Sequence, residues 1–123
     1  MHKLYLTSGL FLGCLAVAAG AFGSHALTGR ISDSNLEIFE TAARYHMAHA
    51  FALAILGLMA ARWPGTAWNG PGLLLLIGVV IFSGTLYALA LTNVRWLGAV
   101  TPVGGVLLIA GWAWAAWLVF TRT

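Results

Sequence analysis

Three histidines and three acids are the residues best suited to chemistry in this chain: His25, His46 and His49, with Asp33, Glu37 and Glu40. His25 closes the stretch "GAFGSHAL", Gly20 to Leu27, at the end of a long apolar run. Imidazole with a carboxylate can hold a transition metal or relay a proton, and two rings can ligate a haem. His46 and His49 are three apart, so they project from nearby parts of one helical surface. The metal signal is incomplete, because there is no HExxH, no CxxC and no ligand set at fixed spacing. The plainer reading is structural. A histidine near a membrane boundary bonds a carbonyl or a neighbouring helix, for roughly 0.6–2 kcal/mol. Ser83 and Tyr87 are four apart on one face, with Thr85 pointing elsewhere. A serine nucleophile needs a base, an orienting acid and an oxyanion hole. Nothing in the spacing supplies them, so no enzyme activity is expected.

The elements that carry these groups follow from composition. Hydrophobic residues make up 61% of the 123 positions and charged residues only 7%. Soluble domains carry about a quarter charged residues, so this chain cannot cover a water-facing surface. The expected fold is all-α, an integral membrane four-helix bundle forming one domain over residues 1–123. Four apolar segments, at about 4–27, 45–61, 72–91 and 102–120, approach the ~20 residues that cross a bilayer, with helices expected at about 4–27, 35–61, 72–91 and 102–120. None alternates with period two, which argues against a barrel and leaves helix. The six basic residues are scattered, so no nucleic-acid surface is expected.

"RWPGTAWNGPG", Arg62 to Gly72, reads as a loop by its prolines and glycines. Thr101 reads as an N-cap, with Pro102 in the first turn. Ser34 and Glu37 form a capping-box pattern. Beyond it Leu36, Phe39, Ala43 and His46 share one face, while Glu37, Glu40, Thr41 and Arg44 share the other. That is a short amphipathic extension running unbroken into the second membrane helix. Glu40 and Arg44 have the favourable i,i+4 order for an ion pair. Trp63, Trp68, Trp96 and Trp117 fall near helix ends as interfacial anchors, with Trp112 and Trp114 deeper.

Gly9 and Gly13 form a GxxxG, and small residues continue through Ala19, Gly20, Gly23 and Ser24, with Gly111 and Ala115 in the last segment. Such stripes let helices approach closely, within one chain or between chains. The first segment, with Lys3, an apolar core and "AVAAGA", resembles a secretion signal. "FLGC" faintly resembles a lipoprotein box, but Leu12 fits poorly two positions before Cys14, and the segment reads as a retained helix. Lys3, Arg62 and Arg122 fall on one side and Arg30, Arg44 and Arg95 on the other. Lys3 tips this even count toward a cytoplasmic N-terminus.

"GAFGSHAL", "FETAARYHMAHAFAL", "FSGTLYALAL" and "VRWLGAVTPVGGVLLIAGW" occur in that order. Together they resemble the YgdD-like family of small membrane proteins, over nearly the whole chain. The resemblance implies a four-helix protein of the bacterial inner membrane and brings no established activity. His25, Phe39, Tyr45 and His49 match its motifs, as do Ser83, Gly84, Tyr87, Thr101, Pro102, Gly104 and Gly105. His46 stands where glutamine is expected, which leaves His25 and His49 as the remaining candidates for a metal or haem. No cofactor is expected. On this resemblance, His25, Glu40, Arg44, Tyr45 and His49 would meet across the hairpin of the first two helices as a latch or ligand pocket. Gly9, Gly13, Gly20, Gly23, Ser83, Gly84, Tyr87, Gly104 and Gly105 would serve helix packing. The implied partners are the lipid bilayer and either further copies of the chain or a membrane complex.

Overall fold

The computed structural model describes residues 1–122. They form four helices in sequence: α1 (His2–Leu27), α2 (Asp33–Arg62), α3 (Asn69–Thr92) and α4 (Leu97–Arg122). Each packs on its sequence neighbour, α1 on α2, α2 on α3 and α3 on α4. The chain therefore runs up and down, an all-α membrane bundle. Within α1, residues Ala18–Gly23 are wound as a π-helix, so "GAFG" sits on a widened turn.

By length and composition, α1, α3 and α4 are apolar enough to cross a membrane. The fourth expected span, α2, falls outside that set. At ~1.5 Å per residue its 30 residues reach about 45 Å, but it carries both inner histidines and most of the charges. It nevertheless runs beside α1 from Gly57 against Leu6 to Phe39 against Gly23. Over that stretch α2 lies at the same level of the bundle as α1.

Local chemistry explains the helix ends. Gly29, at φ +80°, reverses the chain after α1, and Arg30 and Ile31 donate to the Leu27 carbonyl. Ser32, not Ser34, caps α2: its Oγ accepts from the Asn35 amide at 3.1 Å. The capping-box expectation was thus two residues late, because Asp33 and Ser34 already lie in the first turn. Ser32→Ala is expected to cost about 1 kcal/mol and Ser34→Ala much less; denaturant unfolding in micelles would compare them.

Two boundaries differ from expectation because glycine and proline have another use. Asn69, Gly70, Pro71 and Gly72 belong to α3, not to a loop. Pro71 lies in the first turn, where its missing N–H has no helical partner to lose. Gly70 and Gly72 seat the rings of Trp114 and Tyr5, which a Cβ would strike. Likewise α4 starts at Leu97, so Thr101 is a helix-interior residue and Pro102 lies inside the helix. Trp68 is also no interfacial anchor. It is buried in the core with Tyr5, Leu53, Leu75 and Leu108, and its Nε1 donates to the Trp63 carbonyl at 3.1 Å.

The glycines divide sharply. A Cβ at Gly9 would lie 2.5 Å from the Ala54 nitrogen, and one at Gly57 2.6 Å from that of Leu6. At the α3–α4 crossing a Cβ on Gly104 would lie 2.5 Å from the Phe82 nitrogen. These are backbone-to-backbone contacts. A Cβ at Gly23 would lie 2.8 Å from the Phe39 ring, whereas Gly13, Gly20 and Gly105 have ordinary clearance. Gly84 faces open space. Without a hydrophobic force between helices in lipid, dispersion at such close approaches supplies much of the attraction.

Candidate functional site

α2 is the central polar element. Its helical rotation turns His46 and His49 inward, and they are 6% and 5% exposed. His49 Nδ1 is 2.6 Å from the Tyr45 carbonyl one turn back. Its Nε2 accepts the indole N–H of Trp112 on α4 at 3.0 Å. The indole only donates and the carbonyl only accepts, so the network assigns a neutral ring with its proton on Nδ1. Both nitrogens are engaged. A metal or haem could take His49 only by displacing Trp112.

Other polar groups continue the belt between helices. Ser83 on α3 donates to the Ala42 carbonyl of α2 at 2.9 Å. His46 Nδ1 lies 2.9 Å from the Tyr87 hydroxyl, and Tyr87 also meets Phe39 edge-on. The hydroxyls of Thr85 and Thr101 are 2.6 Å apart, and Thr85 donates onward to the Ile81 carbonyl. At one end of the bundle Asn35 donates to the Ala90 carbonyl and to Asn93, while its oxygen accepts from Arg95. At the other end Tyr5 donates to the Asn69 carbonyl. The pairs α2–α3, α2–α4, α3–α4 and α1–α3 are thus each tied by side-chain hydrogen bonds.

The five residues expected to cluster do not converge. His25 is exposed near the end of α1, at the level of Phe39, while His49 faces α4 from the opposite side of α2. The physical reason is rotational. α1 meets α2 along Phe39, Ala43, Ala50, Ala54 and Gly57, and that stripe excludes His49. Glu40 and Arg44 are exposed, and the expected pair between them is replaced by an Arg44 bond to Thr41 at 3.2 Å. Tyr45 is half-exposed and rests on the Phe82 ring, centroids 4.6 Å apart. Among the described residues no three His, Cys, Asp or Glu side chains are grouped to hold a metal ion.

Trp112, Asn35, Asn93, Arg95, Tyr5, Thr85 and Thr101 belong to the belt without having been singled out as site residues in the sequence. A usable signal existed for Trp112, since an indole N–H deep in an apolar helix needs an acceptor. Glu40, Arg44, Gly20 and Ser24 instead line an open groove of about 490 Å³ beside the π-helical turn. A second cleft of about 210 Å³ continues it past Gly13 and Phe51.

The family model described as "Protein of unknown function (DUF423)" matches residues 19–105. The chain belongs to this family. The DUF423 match contains most of the belt, from Asn35 to Thr101, while Trp112 lies beyond it. A Staphylococcus haemolyticus UPF0382 membrane protein is 46% identical over 110 residues, covering 89% of each chain. The UPF0382 membrane protein YwdK of Bacillus subtilis is 40% identical over 111 residues, covering 89% of this chain and 90% of its own. No solved structure matches. The motif resemblance therefore holds, and with it the assignment as a membrane protein.

Proposed function

We propose that this DUF423 protein is a non-catalytic accessory or assembly protein of the bacterial cytoplasmic membrane, with its N-terminus in the cytoplasm. It works by docking a membrane partner rather than by turning over a substrate or carrying a cofactor. One observation supports this most. His49, Ser83, Thr85, Thr101 and Asn35 are engaged in bonds between helices or to their own backbone, which commits these polar groups to holding the bundle together. The groove along α1 and α2 is the surface that fits a partner helix. Gly13 and Gly20 leave it shallow, with no closer neighbour to their missing Cβ than Ala50 and Ala43 at 3.9 and 4.0 Å. Small-residue grooves of this kind admit a second helix closely.

The test is native mass spectrometry on protein excised from its own membrane in polymer nanodiscs. The expected species is a stoichiometric assembly, released by Gly20→Leu with the fold intact. A wild-type chain found only as a free monomer would sink the reading.

A further inference from the structure

Resting on the docking role of the α1–α2 groove, we propose that its partner is a second copy of this chain, the two related by a two-fold axis along the membrane normal. Each copy lays the groove face of α1 and α2 against the same face of the other.

Two features of that face are unfinished within one chain. The first is charge. Glu40 and Arg44 stand exposed in the wall of the groove, among Val17, Gly20 and Met47. Ionisable groups on membrane helices pair with one another or face the protein interior. Among the described residues Glu40 has no hydrogen-bond or ion-pair partner, and Arg44 holds only the Thr41 hydroxyl, at 3.2 Å. The second is shape. Past Val17 and Met47 the groove runs into the cleft of about 210 Å³ at Gly13. An apolar cavity of roughly 150 Å³ already holds a benzene ring. At the rim of the cleft stands Phe51, 63% exposed.

Each unfinished group has its complement at its own height in the bundle. Copies of one chain insert in one orientation, so a two-fold axis between them stands along the membrane normal and equivalent residues share a depth. Arg44 leans toward the start of α2 to reach Thr41, which brings its guanidinium to the height of Glu40. Across the axis it meets the partner's Glu40, and the contact repeats in reverse as a second, crossed ion pair. Gly13 lies opposite Ala50, so Phe51, the next residue of α2, stands at the height of the Gly13 cleft. The ring of each copy enters the cleft of the other. An isologous interface requires this self-complementarity. A phospholipid would fill the clefts with its chains but set its phosphate beside the like charge of Glu40.

The experiment uses full-length chains carrying distinguishable tags, in nanodiscs of their own lipids, with dimers counted by native mass spectrometry. The wild type is expected as a dimer of identical chains. Glu40→Arg alone should lower the dimer-to-monomer ratio at least about tenfold, because only cations then face each other across the axis. Arg44→Glu alone should do the same with acids. Mixed together, the two variants should pair with each other near the wild-type level, since every cation again meets a carboxylate. Phe51→Ala, which removes only an exposed ring, should lower the ratio by about tenfold at unchanged melting temperature. Dimers indifferent to all of these substitutions overturn the proposal, as do charge variants that remain monomeric when mixed. A wild-type chain assembled only with a different protein also overturns it, while leaving the docking role in place. A wild-type chain found only as a monomer, with or without lipid, overturns both.

Discussion

Gly104→Ala is expected to destabilise the bundle by about 3 kcal/mol, at the upper end of the range for overpacking. The new Cβ would lie 2.5 Å from the Phe82 nitrogen and 2.8 Å from the Gly78 carbonyl oxygen. Both belong to helix backbone, so neither can rotate aside, and α3 and α4 must separate along their whole crossing. Gly9→Ala should behave alike, for the same reason on α1 and α2. The control is Gly13→Ala, four residues on in the same GxxxG, where the nearest atom is 3.9 Å away. There the gain in helix propensity, roughly 0.5–1 kcal/mol, meets no clash, and stability should hold or rise. Denaturant unfolding in micelles measures all three. If Gly9→Ala and Gly13→Ala proved equally mild, the α1–α2 crossing would be wrong.

His49→Leu should cost about 1–2 kcal/mol, with most of the loss shared with Trp112. Among the described residues the imidazole is the only acceptor of the Trp112 N–H, and the two rings also meet edge-on with centroids 6.0 Å apart. A double-mutant cycle with Trp112→Phe should give a coupling of about 0.6–1.7 kcal/mol, the range found for hydrogen bonds between membrane helices. His25→Ala supplies the comparison. His25 is exposed and touches neither partner, so it should be near neutral and additive with His49→Leu. Coupling between His25 and His49, with none between His49 and Trp112, would restore the latch expected from sequence and refute the geometry.

The membrane setting and the four helices were legible in the residues. With 7% charge the chain has no choice of solvent, and in lipid each segment must satisfy its own backbone. Both constraints act within a segment. The amphipathic start of α2 was legible for the same reason: Phe39, Ala43 and His46 are buried while Glu37, Glu40 and Arg44 are exposed. Glycine and proline misled at Asn69 to Gly72 because a composition rule counts them as breakers. In a packed helix the missing side chain is instead a seat, here for Tyr5 and Trp114. Thr101 misled likewise, since its hydroxyl bonds Thr85 on a neighbouring helix rather than an amide of its own.

What the residues could not decide is which face of α2 meets which helix. Spacing puts His46 and His49 on one broad surface, but a step of three residues turns the helix by about 300°. That difference sends His46 toward Tyr87 on α3 and His49 toward Trp112 on α4. The rotation is set by backbone contacts at Gly9 and Gly57, between residues tens of positions apart. Local sequence holds no record of such contacts, so the partners of His46 and His49 emerge only when the helices close on each other.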